Sequence, residues 1–237
     1  MTSARFAEFI SIWRRKFGIE RSINERICED EEGRPLPWYT YPATEYLAQF
    51  DYRGKRVFEY GCGNSGLFWA GRAGSVTGVE DNREWFAKWE KMFNRPNLEI
   101  RLRPEGEEYE NAIFEDGCCY DLIAVDGKRR AECAAAAVKA LAPGGMIILD
   151  DSDRVNTSRD YARAIAGLKA AGLLQVDFYG FCPMNCYAKC TSLFFSRDFA
   201  FETMSPVQPV CGRGSLWAMS RRQRKEFYKK FGLIRLK

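Results

Sequence analysis

The stretch VFEYGCGNSG, Val57 to Gly66, carries two overlapping patterns. Gly61, Gly63 and Gly66 spell G-x-G-x-x-G, the turn that brings the backbone amides of a following helix to a pyrophosphate. Glu59, two residues before the first glycine, also makes it E-x-G-x-G. A dinucleotide site normally has an apolar strand residue there, and a carboxylate beside an anionic pyrophosphate in a half-buried site costs on the order of a few kcal/mol in Coulomb repulsion. The carboxylate suits a ligand with positive charge. Glu80 stands 21 residues after Glu59, at the distance where a carboxylate accepts hydrogen bonds from ribose hydroxyls, which either kind of ligand can carry.

Outward from this loop, short apolar runs alternate with helical stretches. RVFEY (56–60), SVTGVE (75–80), LEIRL (98–102), YDLIAVD (120–126) and GGMIILD (144–150) read as strands with helices between them, the βαβ rhythm of a parallel sheet. After Asn156, YARAIAGLKAAG reads as a helix stopped by Gly172. LLQVDFYG (173–180) and TSLFFS (191–196) then follow as strands close enough in sequence to pair antiparallel. The predicted fold is α/β: a Rossmann-like doubly wound sheet, mostly parallel with a reversed C-terminal strand, and helices on both faces.

Upstream, Phe6, Phe9, Ile10, Trp13 and Phe17 are spaced as the stripe of an amphipathic helix that packs on the main domain. The Pro-rich, aromatic GRPLPWYTYP (33–42) resists regular structure and reads as a lid or a structural strap. Downstream, residues 221–237 hold eight Lys/Arg against Glu226, a net charge of +7, which leaves −3 of the total of +4 for residues 1–220. Phe227, Tyr228 and Phe231 at helical spacing predict that this basic stretch packs as an amphipathic helix, so nucleic acid is not the expected partner.

At 237 residues with 46% hydrophobic residues the chain can fill one core. Nine cysteines, an odd number in a chain of this size with no cleavable signal, point to reduced thiols and a cytoplasmic protein rather than a disulfide scaffold. No apolar run reaches membrane-spanning length.

With these motifs in place, the chain resembles the class I S-adenosylmethionine-dependent methyltransferases over about Arg56 to Ser196, and more narrowly a poorly characterised bacterial-type group within them. VFEYGCGNSG looks like their first motif, VTGVED their second, YDLIAVDG their fourth and LAPGGMIILDD the loop and strand that follow. Ser65 stands where the family usually has a third glycine, so the loop would differ slightly in path. The resemblance divides the chain into a helical and aromatic lid or strap (1–50), a cofactor-binding methyltransferase domain (51–200) and a basic extension (201–237).

The resemblance implies S-adenosylmethionine as cofactor. Glu59, Gly61, Gly63, Asn64 and Ser65 would hold its methionine end, Glu80 its ribose hydroxyls and Asp81 the region of the adenine, with Pro104 and Glu105 as weaker candidates for the adenine edge. Asp126, at the end of the fourth strand, would serve both the cofactor side and the acceptor chemistry. The chain has no histidine, so a general base would come from Asp126, Asp151, Asp153, Lys128, a tyrosine or a metal-bound acceptor.

Asp126, Asp150 and Asp151 fall where the catechol O-methyltransferase group places its magnesium ligands. Asp151 replaces an Asn, however, and Lys128 and Arg129 match the catalytic lysine of that group only approximately. A divalent metal is therefore the less favoured expectation, behind a metal-free site whose carboxylates an arginine such as Arg154 neutralises. Arg129, Arg130 and Arg154 would bind an anionic acceptor or stand solvated in loops. Trp38, Tyr39 and Tyr41 would line the acceptor pocket or belong to the core. Cys182, Cys186 and Cys190, with Cys211, lack tight zinc spacing and read better as a loop over the acceptor pocket.

The expected reaction is O-methylation of a small or glycan-like hydroxyl acceptor. Aminopropyl transfer on the same fold and a non-catalytic binding module are the alternatives.

Overall fold

The computed structural model describes residues 4–90, 92 and 94–231; the last residues of the basic extension, including Arg235 and Lys237, lie outside the described residues. A seven-stranded sheet runs in the order β3-β2-β1-β4-β5-β7-β6. Its strands are β1 (Arg56–Tyr60), β2 (Ser75–Glu80), β3 (Leu98–Leu102), β4 (Tyr120–Val125), β5 (Leu141–Asp150), β6 (Leu174–Phe181) and β7 (Ala188–Phe195). The strands β1 to β5 are parallel, and β7 runs antiparallel between β5 and β6.

Alternation along the central strands feeds two cores. Leu122 and Ala124 of β4 and Met146 and Ile148 of β5 join one face with Val57, Trp69 and Leu193. Ile123, Val125, Ile147 and Leu149 join the other with Phe58, Tyr60, Tyr109 and Phe194. Strands buried on both sides need near-continuous apolar runs, which is why these segments were legible as strands.

The helices between strands are α4 (Asn64–Ala70), α5 (Arg83–Glu90), α6 (Glu107–Asn111), α7 (Arg130–Ala140) and α8 (Arg159–Ala170), preceded by α1 (Ala4–Lys16), α2 (Ile19–Glu25) and α3 (Tyr41–Leu47) and followed by α9 (Arg221–Phe231). The alanine run of α7 favours helix and, with side chains this short, buries Ala134, Ala137 and Ala140 close against the sheet.

The aromatic segment before β1 is built into the body of the protein. Tyr39 and Tyr41 are buried. The Thr40 hydroxyl caps α3 and donates to the Phe178 carbonyl, while the Thr40 amide donates to the Thr191 hydroxyl at 3.0 Å. Only Trp38 of the three aromatic candidates reaches the cavity described below.

Helix α1 departs from its expectation. Trp13 and Phe17 pack on Tyr41, and Trp13 also meets Phe181, yet Phe6 and Phe9 stay 53% exposed and no residue of the helix is buried. Helix α9 returns to this end: Arg5 donates to the Phe231 carbonyl at 2.8 Å and Lys230 pairs with Glu8 at 3.1 Å. Among the described residues no helix is long and apolar enough to cross a membrane.

Candidate active site

The carboxyl ends of β1, β2, β4 and β5 open into a cavity of about 430 Å3. It lies where β1 is flanked by β2 and β4 and the chain connections diverge, the usual ligand position in an open α/β sheet.

One side is formed by the glycine loop. Gly61 has φ +82°, and a Cβ there would lie 2.8 Å from the Asp126 carbonyl oxygen, so only glycine lets the loop pass the end of β4. Gly63 runs against the ring of Trp85, whose indole N–H donates to the Cys62 carbonyl at 2.5 Å. The Asn64 side-chain N–H donates to the Cys28 carbonyl, while its Oδ1 is buried at the cavity wall without a partner among the described residues. Ser65 lines the wall beside it.

Glu80 ends β2 with its carboxylate pinned by three backbone amides: Cys62 at 3.0 Å, Asp81 at 3.1 Å and Asn82 at 2.9 Å. Burial raises its pKa against the pull of these amides. The Asn82 side chain in turn accepts from the Trp85 amide and fixes the start of α5. An orphaned acceptor at Asn64 and a fixed carboxylate at Glu80 fit a ligand that brings an ammonium and ribose hydroxyls.

Glu59 does not line this cavity. It is 1% exposed, on the β1 face shared with Val57, behind the loop and beneath Gly66. Ser65 and Trp69 approach its carboxyl group, but among the described residues neither oxygen has a well-shaped hydrogen bond. Burial pushes its pKa up to about 8, so near neutral pH the group is largely uncharged. The repulsion argued from sequence against a pyrophosphate therefore loses its force, because the charge it requires is suppressed by burial. Strand order, with β7 reversed between β5 and β6, separates this sheet from an all-parallel one.

The opposite side of the cavity is an ion network. The carboxylate oxygens of Asp126, Asp150 and Asp151 converge within 4.8 Å of one another. Lys189, 7% exposed, donates to Asp151 at 3.0 Å and makes a closer contact with Asp150. Arg130 donates to Asp126 at 3.1 Å and lies 3.9 Å from Asp151. The Thr191 hydroxyl donates to the second Asp150 oxygen at 2.6 Å.

Burial and the neighbouring Asp126 push Asp150 up to about 7 despite Lys189. Burial raises Asp126 as well, with Arg130 and Lys189 pulling it back. Asp151, where burial is outweighed by Lys189 and Arg130, is held below the ordinary carboxylate range. Two cations already occupy the carboxylate cluster that the sequence offered to a divalent metal, and the residues do not fit one.

The sequence matches no protein-family model and no curated protein. Solved structures do match. A putative O-methyltransferase from Klebsiella pneumoniae is 16% identical with a TM-score of 0.54, over 75% of this chain and 88% of that one. The O-methyltransferase TomG from Streptomyces achromogenes, in complex with S-adenosylmethionine, is 15% identical with a TM-score of 0.50, over 64% and 76%. A precorrin-6y C5,15-methyltransferase from Geobacter metallireducens is 14% identical with a TM-score of 0.50, over 73% and 95%. The fold is that of the class I methyltransferases.

Within this methyltransferase fold the remaining candidates separate. Lys128 pairs with Asp81 at 2.8 Å and Glu105 at 3.2 Å on the rim, so its ammonium belongs to the β2 side and not to the Asp126 cluster. Arg130, expected as a loop arginine, opens α7 and is buried. Arg129 turns away to Glu110, and Arg154 lines the cavity mouth near Tyr161. Asp153 accepts from the Cys190 amide at 3.1 Å.

The loop between β6 and β7 covers the cavity with Met184, Asn185 and Tyr187. Cys182 and Cys190 are buried away from that wall, Cys186 and Cys211 are exposed, and all are free thiols.

Sequence reasoning missed Lys189 and Trp85. Lys189 was absorbed into a cysteine-rich loop, although its period-two spacing with Thr191, Leu193 and Phe195 was a strand signal.

Proposed function

We propose that the chain is an S-adenosylmethionine-dependent methyltransferase whose acceptor is a hydroxyl of a small or glycan-like molecule. The observation that carries this reading is the single cavity joining the Gly61–Gly63 loop and Glu80 on one wall to Asp126 and Asp151 on the other, in a methyltransferase fold.

When bound, the cofactor supplies an electrophilic methyl group. Glu80 accepts hydrogen bonds from the ribose hydroxyls on lone pairs its backbone partners leave free. Asn64 Oδ1, unpartnered among the described residues, accepts from the ammonium. Glu59 acts from behind the loop, as a group that a nearby positive charge draws toward ionisation, rather than as a direct contact.

Asp126 is the general base. One of its oxygens is held by Arg130 and, among the described residues, the other makes no hydrogen bond, which leaves it to take the acceptor's proton. Burial raises its pKa above the ordinary carboxylate value, which makes it a stronger base than an exposed aspartate. Trp38 and Tyr187 offer rings that stack on a planar or sugar acceptor. Lys189 and Arg130 neutralise most of the carboxylate charge, which argues against the aminopropyl alternative, since a polyamine would need those carboxylates free.

The test is transfer of labelled methyl from S-adenosylmethionine to a panel of hydroxylated small molecules and glycans. Transfer undiminished by EDTA is expected. Activity abolished by EDTA and restored by magnesium or manganese would overturn the metal-independent assignment, and no transfer to any acceptor despite tight cofactor binding would favour a binding module.

A further inference from the structure

The three carboxylates have the spacing of a metal site. Oxygens on opposite sides of a divalent cation bonded at about 2.1–2.4 Å lie within about 5 Å of each other, and those of Asp126, Asp150 and Asp151 lie within 4.8 Å. An ammonium meets two of them instead, while a guanidinium, that of Arg130, holds Asp126. β7 runs antiparallel, so it begins at the edge of the sheet where β5 ends, and Thr191 pairs with Asp150 in the register. Lys189, two residues earlier, projects from the same face as Thr191 and reaches both Asp150 and Asp151. The Trp38 ring covers it, with its centroid 5.7 Å from Nζ. The site therefore keeps a cation that cannot dissociate.

We propose that Lys189 is a built-in counter-ion holding the place of a divalent cation among Asp126, Asp150 and Asp151, so that the intact protein is closed to metals and removal of Lys189 opens a metal site. The charge balance supports it. Counting three ionised carboxylates, Lys189 and Arg130 leave the cluster with one negative charge in excess. Without Lys189 two remain, with oxygen ligands of the kind a hard divalent cation takes.

The test uses the full chain with Mn2+ alone, read by electron paramagnetic resonance of the free ion. It needs neither cofactor nor acceptor, so its outcome is separate from that of the methyltransferase assignment. Lys189→Ala is expected to bind one Mn2+ at least about tenfold more tightly than the wild type, and adding Asp126→Asn should return binding to the wild-type level.

Equal affinity in the wild type and Lys189→Ala would overturn the proposal, as would binding that survives Asp126→Asn. Lys189→Gln, which removes the charge but keeps donors and most of the bulk, should bind Mn2+ more tightly than the wild type too. Should Lys189→Ala not fold in metal-free buffer, circular dichroism is expected to show folding restored by Mn2+. Failure to fold in both conditions, with Lys189→Gln folded and no tighter than the wild type, would count against the counter-ion role.

Discussion

The two walls of the cavity are built differently. The wall at β1 and β2 is mostly backbone: Gly61 and Gly63 shape the path, and three amides hold Glu80. The wall at β4, β5 and β7 is almost all side chain, with five charged groups drawn from three strands and a helix. Backbone geometry tolerates little change but fixes one shape. A network of charges can be retuned one residue at a time, and in the proposed reaction it is the part that faces the acceptor. We therefore propose that the β1–β2 wall serves binding and the β4–β5–β7 wall chemistry.

The sharpest way to break that division is Asp126→Asn. It should lower turnover by about 10²- to 10⁴-fold, the usual worth of a general base, with cofactor affinity little changed. Asp153→Asn, which disturbs a hydrogen bond to the Cys190 amide, should lower turnover less. Equal losses of turnover and cofactor affinity in Asp126→Asn would merge the two walls, and a larger loss in Asp153→Asn would move the base.

Next in size is the pH dependence of stability from Glu59. Its folded pKa of about 8 lies above the ordinary carboxylate value of 4.5, so the stability it contributes is fully present below pH 4.5 and is lost as pH rises through 8. Glu59→Gln should therefore match the wild type in acid and exceed it above pH 8, by an amount on the order of a few kcal/mol, in urea titrations of the unliganded chain. A gap that narrows toward high pH would show that Glu59 is ionised in the folded protein.

The smallest expected effect is Glu80→Ala. Losing its hydrogen bonds to the ribose should weaken cofactor binding by about tenfold or more, worth roughly 1.4 kcal/mol, without a comparable loss in the turnover of saturated enzyme. The reverse split would place Glu80 with the chemistry.

The same contrast decides what was legible in the sequence. Strands and the glycine loop are local: an apolar run, or Gly61 at a positive φ, is visible within a few residues. The reversed β7 was legible too, from the short interval between two strand-like runs. Lys189 was not, because its meaning depends on Asp150, 39 residues away, and on the antiparallel register that joins them. Glu59 was found, but its charge was misjudged, since burial set by Tyr39 and Trp69 cannot be read from VFEYG. The aromatic segment was left open between pocket and core, and tertiary packing sent Tyr39 and Tyr41 to the core and Trp38 to the cavity.

The most direct measurement of the central claim is calorimetric titration of the full chain with S-adenosylhomocysteine and, separately, with NAD. Binding of S-adenosylhomocysteine, weakened in Glu80→Ala, and no heat from NAD are the expected results. Binding of NAD with no response to S-adenosylhomocysteine would contradict the account.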